Sequence, residues 1–393
     1  MRIIQINLNH CEVAHSLLEQ VLREKRADIA LISEPYKKVE TQSYILDSSK
    51  TAAILAPGRQ PESVQPRVGF VQAKVGAFWL YSCYLPPRQT LQQFTHTLDE
   101  IAQDARHRSQ VVIAGDFNAW AEDWGSSRTN ARGRTLQETF ATLDVALLNT
   151  GSQNTFSKAG YGSIVDLTFC SSGLFRRTKW SLSDDYTASD HKYIVCDIED
   201  REQASTAAKP PRFNPATLEP LKFAQELRTP DPSGDVECEV HNSMAAVLQA
   251  CRASMRCSRG HSRHHEPVPW WSPEIAHARR ECLRTRRLHQ RARGRPDFEQ
   301  KREDFAAKRK ILKKLIREAK TKCFLEMCDA AEQDPWGSAY RAVVKKAKQA
   351  KPIAPKDAET MKAIVEHLFP KQPSGVESPG PSGAREPAGF TPA

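Results

Sequence analysis

No stretch of this 393-residue sequence stays apolar for long; the longest uninterrupted runs, such as residues 52–56 and 111–114, are short. A bilayer-spanning helix needs about 20 such residues, so no membrane segment is expected. Residues 1–9 form a strand-like run containing polar residues. They lack the charged end, apolar stretch and small-residue cleavage site of a secretory signal. Cysteine pairs are missing too: the ten cysteines are scattered, with no Cys-x-x-Cys. That pattern fits reduced, packed thiols in a nuclear and/or cytoplasmic protein better than a disulfide framework. Cys251, Cys257, His261 and His264 stand near one another, but their spacing matches no common zinc finger. With 18 Gly, 25 Pro and 39% hydrophobic residues, the composition is globular and excludes a collagen-like, coiled-coil or wholly disordered chain. No internal repeat is evident.

The charge divides the chain in two. Residues 1–200 carry 21 Lys+Arg against 23 Asp+Glu, whereas residues 201–393 carry 36 against 24, so the whole +10 excess belongs to the second half. Within that half, residues 279–322 hold 18 basic and 6 acidic side chains. A block of this density points to a polyanionic partner, because each neutralised phosphate releases counterions. A solvated helix face is the alternative.

Residues 1–200 alternate strand-like and helix-like segments. Apolar β-like runs at 2–7, 28–33, 77–84, 111–114, 164–169 and 193–198 are interleaved with amphipathic stretches at 13–26 and 90–106. Six prolines between Pro210 and Pro232 open a linker, taken as 201–261. A basic helical region is expected over 262–350. Ser272-Pro273-Glu274 reads as an N-cap, a first-turn proline and an acid near the positive dipole end, and Asp334-Pro335 repeats the signal. Gly294-Arg295-Pro296 should break the first helix. Phe298, Phe305, Leu312, Leu315, Ala319 and Cys323 fall on one stripe of the next. Residues 351–393 read as a mostly disordered tail, since 12 of the last 23 residues are Pro, Gly or Ser.

The chemistry sits in the acidic half, where polar residues end apolar runs: Asn7, Ser33-Glu34-Pro35-Tyr36, Gly115-Asp116-Phe117-Asn118, Val165-Asp166 and Ser189-Asp190-His191. Carboxylates and amides at strand ends can converge on one rim of a sheet. Gathering so many acids is unfavourable without a counterion. A hard divalent cation with oxygen ligands, Mg²⁺ or Mn²⁺, meets that need. Taken singly, each segment also reads as a plain turn or cap. Together, acids, amide and imidazole around a metal can hydrolyse a phosphodiester.

This ordered set resembles the endonuclease/exonuclease/phosphatase superfamily, which includes DNase I and the exonuclease III-like abasic endonucleases. The resemblance covers residues 1 to about 199, and Tyr84-Leu85-Pro86 joins it. Ser33-Glu34-Pro35-Tyr36, Asn130-Ala131-Arg132-Gly133 and 162–168 are similar to the endonucleases of non-LTR (LINE-type) retrotransposons, the insect-type elements especially. Trp270-Trp271-Ser272-Pro273-Glu274, Ala319-Lys320 and Pro335-Trp336-Gly337 resemble the segment that joins endonuclease to reverse transcriptase in those polyproteins. The Asp184-Asp185 pair is expected in a loop and not in a polymerase palm, so the resemblance implies an element product truncated before the polymerase.

What the resemblance implies is a four-layer α/β sandwich followed by the helical region and tail. It implies a metal-dependent endonuclease that nicks target DNA, leaves a 3′-hydroxyl and serves target-primed reverse transcription. Catalytic roles fall to Asp116, Asn118, His191, Asp166 and Tyr84. The metal falls to Glu34, Asn7 and Asp190, and substrate contacts to Asn130, Arg132, Thr155 and Ser189. Asn9 stands where abasic endonucleases carry an acid, implying a weaker or water-mediated metal contact. Partners would be target DNA and, through the basic helices, element RNA. A related phosphatase or phosphodiesterase, an inactive nucleic-acid-binding fragment of a retroelement, and a decayed reading frame are the alternatives.

Overall fold

Side chains alternate from face to face along a strand, and that period of two sorts the apolar residues of the first 200 into an inner and an outer set. The computed structural model describes residues 1–38, 44–158, 160–199, 212–213, 217–227, 236–255, 257–258, 266–333 and 337. Residues 1–340 form one compact unit; 341–393 form a second, which lies outside the described residues together with the expected tail and the Asp334-Pro335 cap.

In chain order the elements are β1 (Arg2–Asn7), α1 (Glu12–Glu24), β2 (Ile29–Ser33), β3 (Tyr44–Leu46), β4 (Ala52–Leu55), β5 (Ser63–Pro66), β6 (Phe70–Val75) and β7 (Phe78–Tyr84). Then come α2 (Leu91–Ala105), β8 (Val111–Asp116), α3 (Ala131–Phe140), β9 (Val145–Leu147), β10 (Phe156–Lys158) and β11 (Tyr161–Ser163). They are followed by β12 (Asp166–Ser171), α4 (Ser172–Phe175), β13 (Thr178–Leu182) and β14 (Ile194–Ile198). The second half holds β15 (Arg212–Phe213), α5 (Pro220–Glu226), α6 (Val236–Ser254), β16 (Cys257–Ser258), α7 (Pro273–Arg291) and α8 (Phe298–Gln333). Helices α5 and α6 thus fall within the span read as a linker. No helix among the described residues is long and apolar enough to cross a membrane.

Two six-stranded sheets form, in the orders β13-β14-β1-β2-β4-β3 and β5-β6-β7-β8-β12-β9. β1–β2 and β7–β8 are parallel, and the strands flanking them are antiparallel. Ile3, Ile29, Leu31 and Cys196 of the first sheet meet Ala73, Leu80, Val112 and Ala114 of the second in a central core. On the far side of the first sheet, Ile4, Ile6, Ala30 and Ile32 pack against Leu18, Val21 and Leu22 of α1. On the far side of the second, Tyr81, Ile113, Leu167 and Phe169 join Phe94, Leu98 and Ile101 of α2 and Leu136 and Phe140 of α3. Helix, sheet, sheet, helix is the expected four-layer sandwich.

Helix α7 begins as its sequence indicates: Ser272 Oγ accepts the Ile275 N–H at 3.2 Å, and Pro273 follows. The chain turns at Gly294, whose φ of 74° suits glycine. Phe305, Leu312, Leu315 and Ala319 of α8 then join Ile275, Ala278 and Cys282 of α7 in a core that also takes Leu17 of α1 and Tyr186. The apolar stripe of the basic helices therefore packs on the outer face of α1. Strands β3–β6 go beyond the sequence expectation; β3, β4 and β5 are short, and β5 is largely exposed, so no clear alternation marks them.

β7 and β8 approach so closely beside Asp116 that a Cβ on Gly115 would lie 2.0 Å from the Cys83 carbonyl oxygen. Gly115→Ala should therefore destabilise the fold by about 1–3 kcal/mol, the usual range for overpacking, as read by chemical denaturation. Wild-type stability in this variant would show that the two strands separate freely.

Candidate active site

The inner faces of the sheets turn from apolar to polar toward one end. On β1 the inward parity runs Ile3, Gln5, Asn7; on β2 Ile29, Leu31, Ser33; on β8 Val112, Ala114, Asp116. The polar ends bond across the gap. Ser33 Oγ donates to the Cys83 carbonyl at 2.8 Å and accepts the Asp116 N–H at 3.2 Å. Gln5 Nε2 donates to the Gly115 and Leu167 carbonyls, each at 3.2 Å, and Thr168 Oγ1 donates to Gln5 Oε1 at 2.7 Å. Asn7 Nδ2 donates to Asp116 Oδ2 at 2.9 Å. Register does the rest: Asp116 stands opposite Asp166 on β12 and Tyr84 on β7, and Asn7 opposite Ser33, next to Glu34.

His191 lies in this mouth, 5% exposed, with Nδ1 2.7 Å from Asp166 Oδ2 and Nε2 4.0 Å from Asp116 Oδ2. Its ring packs on Phe156 at 4.9 Å between centroids. Burial disfavours the imidazolium, but the charge and hydrogen bond of Asp166, then Asp116 and Glu34, outweigh it and raise His191 to about 9. Burial, with Asp166 beside it, pushes the Asp116 carboxyl up to about 7 against the opposing pull of His191, Asn7 and the Asn118 N–H. Tyr84 donates to Glu34 Oε1 at 2.6 Å, and burial and that carboxylate hold it as a neutral phenol.

Of the sequence-derived site residues, the structure brings together the hydrogen-bonded pairs Asn7–Asp116 and His191–Asp166, linked by a 4.0 Å contact between His191 and Asp116, with Tyr84 and Glu34 paired alongside. Asp190 sits at the rim, 3.4 Å from Asn9 Nδ2 and 3.6 Å from Lys158 Nζ. Asn118 gives its N–H to Asp116 Oδ1 at 3.1 Å, while its side-chain amide donates to the Leu85 carbonyl at 3.2 Å. The four residues expected to contact substrate all make hydrogen bonds within the protein. Asn130 caps α3, accepting the Gly133 N–H at 2.8 Å. Arg132 donates to the carbonyls of Leu85, Pro86 and Phe117 at 2.8–3.1 Å. Thr155 is buried and accepts the Asp166 N–H at 3.1 Å; Ser189 donates to the Asn7 carbonyl at 2.7 Å. They hold the loops that carry the site. The roles of Gln5 and Ser33, which stitch the sheets together, escape the sequence reading; their parity with Asn7 is the available signal.

Non-glycine residues with left-handed backbone gather here: Asn9, Glu34, Asn118 and Ala188 have φ of 49°, 47°, 48° and 56°. Such conformations cost of order 1–3 kcal/mol each and persist where surroundings enforce them. For Glu34 the enforcing bonds are its N–H to the Thr51 carbonyl at 2.7 Å and the His10 N–H to its own carbonyl at 3.0 Å.

Asp116, Asp166 and His191 set ligand atoms within 4.8 Å of one another, a group able to hold a metal ion. Asp166 Oδ1 is buried without a hydrogen-bond partner. A surplus of buried carboxylate over imidazolium, with one oxygen unsatisfied, suits a hard cation. Cys251 lies on α6, but the side chains of Cys257, His261 and His264 are outside the described residues, and the described cysteines are free thiols. Asp185 lies in a loop and meets Lys25 and Arg279 at 2.7 and 3.7 Å, as expected for a non-polymerase pair.

A family model described as endonuclease-reverse transcriptase matches residues 78–195. The chain is 24% identical over 378 residues to a 115 kDa protein of the type-1 retrotransposable element R1DM of Drosophila melanogaster; the match covers 86% of this chain and 36% of that protein. The chain thus spans about a third of the length of this relative. Among solved structures, the endonuclease domain of TRAS1, a telomere-specific non-LTR retrotransposon, matches at 27% identity and a TM-score of 0.44, covering 50% of this chain and 97% of that domain. An AP endonuclease from Archaeoglobus fulgidus matches at 15% identity and a TM-score of 0.42, covering 51% and 100%.

In the metal-free protein the His191 imidazolium should titrate near 9 by NMR. Its folded value exceeds the ordinary imidazole value of about 6.5, so its stabilising contribution is complete below that pH and lost as pH rises through about 9. Asp166→Asn should bring the midpoint to or below the ordinary value. An unmoved midpoint would assign the shift to another group.

Proposed function

We propose that this chain, whose N-terminal half is an endonuclease domain of the endonuclease/exonuclease/phosphatase superfamily related to those of non-LTR retrotransposon proteins, hydrolyses a DNA phosphodiester with the help of a divalent cation and leaves a 3′-hydroxyl. The observation that carries the reading is the hydrogen-bonded row Asn7–Asp116 beside His191–Asp166 at the mouth of the two sheets. Asp116, raised to about 7, is poised to orient and deprotonate an attacking water near neutral pH. Asn118 steadies Asp116 through its backbone N–H. His191, still protonated at neutral pH, offers positive charge to the phosphate as negative charge develops there, and Asp166 fixes its ring. Tyr84, a neutral phenol whose O–H rests on Glu34 at 2.6 Å, would turn that O–H to the leaving oxygen once Glu34 is engaged by the cation. Glu34, with Asn7 and Asp190 near it, would hold Mg²⁺ or Mn²⁺ together with the adjoining carboxylates of Asp116 and Asp166. When bound, the cation stabilises charge on the phosphate oxygens. Nicking of chromosomal DNA to prime reverse transcription, in the nucleus, is the corresponding role; the cations of α7 and α8 would attract both that DNA and element RNA.

The test is a supercoiled-plasmid nicking assay on the full chain with Mg²⁺. Asp116→Ala and His191→Ala should each slow nicking by about 100-fold or more with the fold intact by circular dichroism, the scale of positioned acid–base groups. Glu34→Gln should raise the Mg²⁺ concentration required. Absence of nicking with either cation, or a wild-type rate for Asp116→Ala, would overturn the reading.

A further inference from the structure

Several cations of α7 and α8 have no carboxylate partner among the described residues, and three of them share one groove. Along the hairpin, most acids are matched: Arg279 with Glu24 at 2.9 Å, Arg284 with Glu281 at 3.0 Å, Lys314 with Glu318 at 3.7 Å, Lys322 with Glu326 at 3.8 Å. Arg286, Arg293 and Arg309 have no carboxylate within ion-pair distance among the described residues. These three line one groove, whose opposite wall is Lys158 of β10 and Ser189-Asp190 of the loop that ends in His191. Arg286 Nη1 donates to the Ser189 carbonyl at 3.1 Å, and Arg293 donates to the Gly160 carbonyl between β10 and β11. The groove therefore shares with the candidate site the loop that carries His191. His289 in its wall keeps a buried Nε2 without a partner.

The hairpin's place is fixed by more than this groove. Besides the shared apolar core, Lys320 Nζ donates to Ser16 Oγ at 2.7 Å, the Val268 N–H to Gln20 Oε1 at 3.0 Å, and Arg23 Nη1 to the Glu266 carbonyl at 2.9 Å.

We propose that α7 and α8 are the second wall of the substrate cleft, and that Lys158, Arg293 and Arg309 grip the phosphate backbone of duplex DNA flanking the scissile bond. This rests on the endonuclease reading above. The occupant is duplex backbone because the groove gathers three arginines and Lys158 around a single acid, Asp190, and because Ser189 and Asp190 in its wall immediately precede His191. A nuclease domain with a slight acidic excess thereby gains its phosphate-binding charge from the following segment of chain.

The full chain carrying Arg293→Gln and Arg309→Gln together tests this, with Lys314→Gln plus Lys322→Gln on the exposed face of α8 as control. Nicking kinetics and the Kd of a catalytically silenced Asp116→Ala background for a duplex oligonucleotide are read across a salt series. The groove pair should raise KM and Kd roughly tenfold and reduce the log–log salt slope by about 2, with kcat unchanged and the control pair near wild type. Lys158→Gln, on a different element, should act in the same direction if the double variant lowers the melting temperature. Unchanged KM, Kd and slope in a chain that nicks would overturn the groove while leaving the endonuclease reading intact. So would an effect confined to single-stranded RNA, or equal losses in the control pair. Because the binding arm needs no cleavage, a wild-type chain that fails to nick counts against the endonuclease reading alone, and the duplex affinities still decide the groove.

Discussion

Everything at the mouth of the sandwich depends on polar side chains being buried between two sheets that are otherwise held by apolar contact. Bringing Gln5, Asn7, Ser33, Asp116, Asp166 and Thr168 out of water is unfavourable unless each finds a partner. They find one another across the gap: hydroxyl to carbonyl, amide to carboxylate, carboxylate to imidazole. Hydrogen bonds to charged groups contribute about 1.5–3 kcal/mol each, but leaving one unmade costs comparably. The seam thus fixes the spacing and register of the sheets at the end where chemistry requires both.

The same burial sets the protonation states. Asp116 and Asp166 face each other at one register step of an antiparallel pair, so their charges repel in a medium that screens poorly. The conflict is relieved partly by His191, which is drawn into the charged form, and partly by Asn7. One carboxyl is pushed up toward neutrality while the imidazole is pushed above it. An acid and a base with separated ranges result from three side chains and their shared desolvation. The left-handed backbone at Glu34, Asn118 and Ala188 belongs to the same account, since the strand ends bend sharply to present their side chains inward.

The charge division of the sequence takes on a different meaning in three dimensions. A nearly neutral first half and a basic second half suggest two bodies with two partners. Instead, the apolar stripe of α8 and the inner face of α7 close over Leu17 and Tyr186, and Arg279 reaches Glu24 and Asp185. The basic helices are built onto the two-sheet sandwich, close to the loop that carries His191.

Much of this was legible in the sequence. Short apolar runs ending in Asn7, Glu34, Asp116, Asp166 and His191 pointed to the fold class and the chemical set, because strand ends and period-two alternation are local properties. Ser272-Pro273 and Gly294 marked the helix boundaries for the same reason. The sequence did not tell which backbone groups the polar side chains would meet. Asn130, Arg132, Thr155 and Ser189 have suitable side chains for a phosphate, and each also bonds backbone that only folding brings near. Nor could periodicity show what the stripe of α8 covers, since an apolar face states that it is buried but not against what. Local spacing determined the elements and their chemistry; the pairing of distant surfaces, which depends on shape and desolvation across the whole chain, was decided only by the tertiary structure.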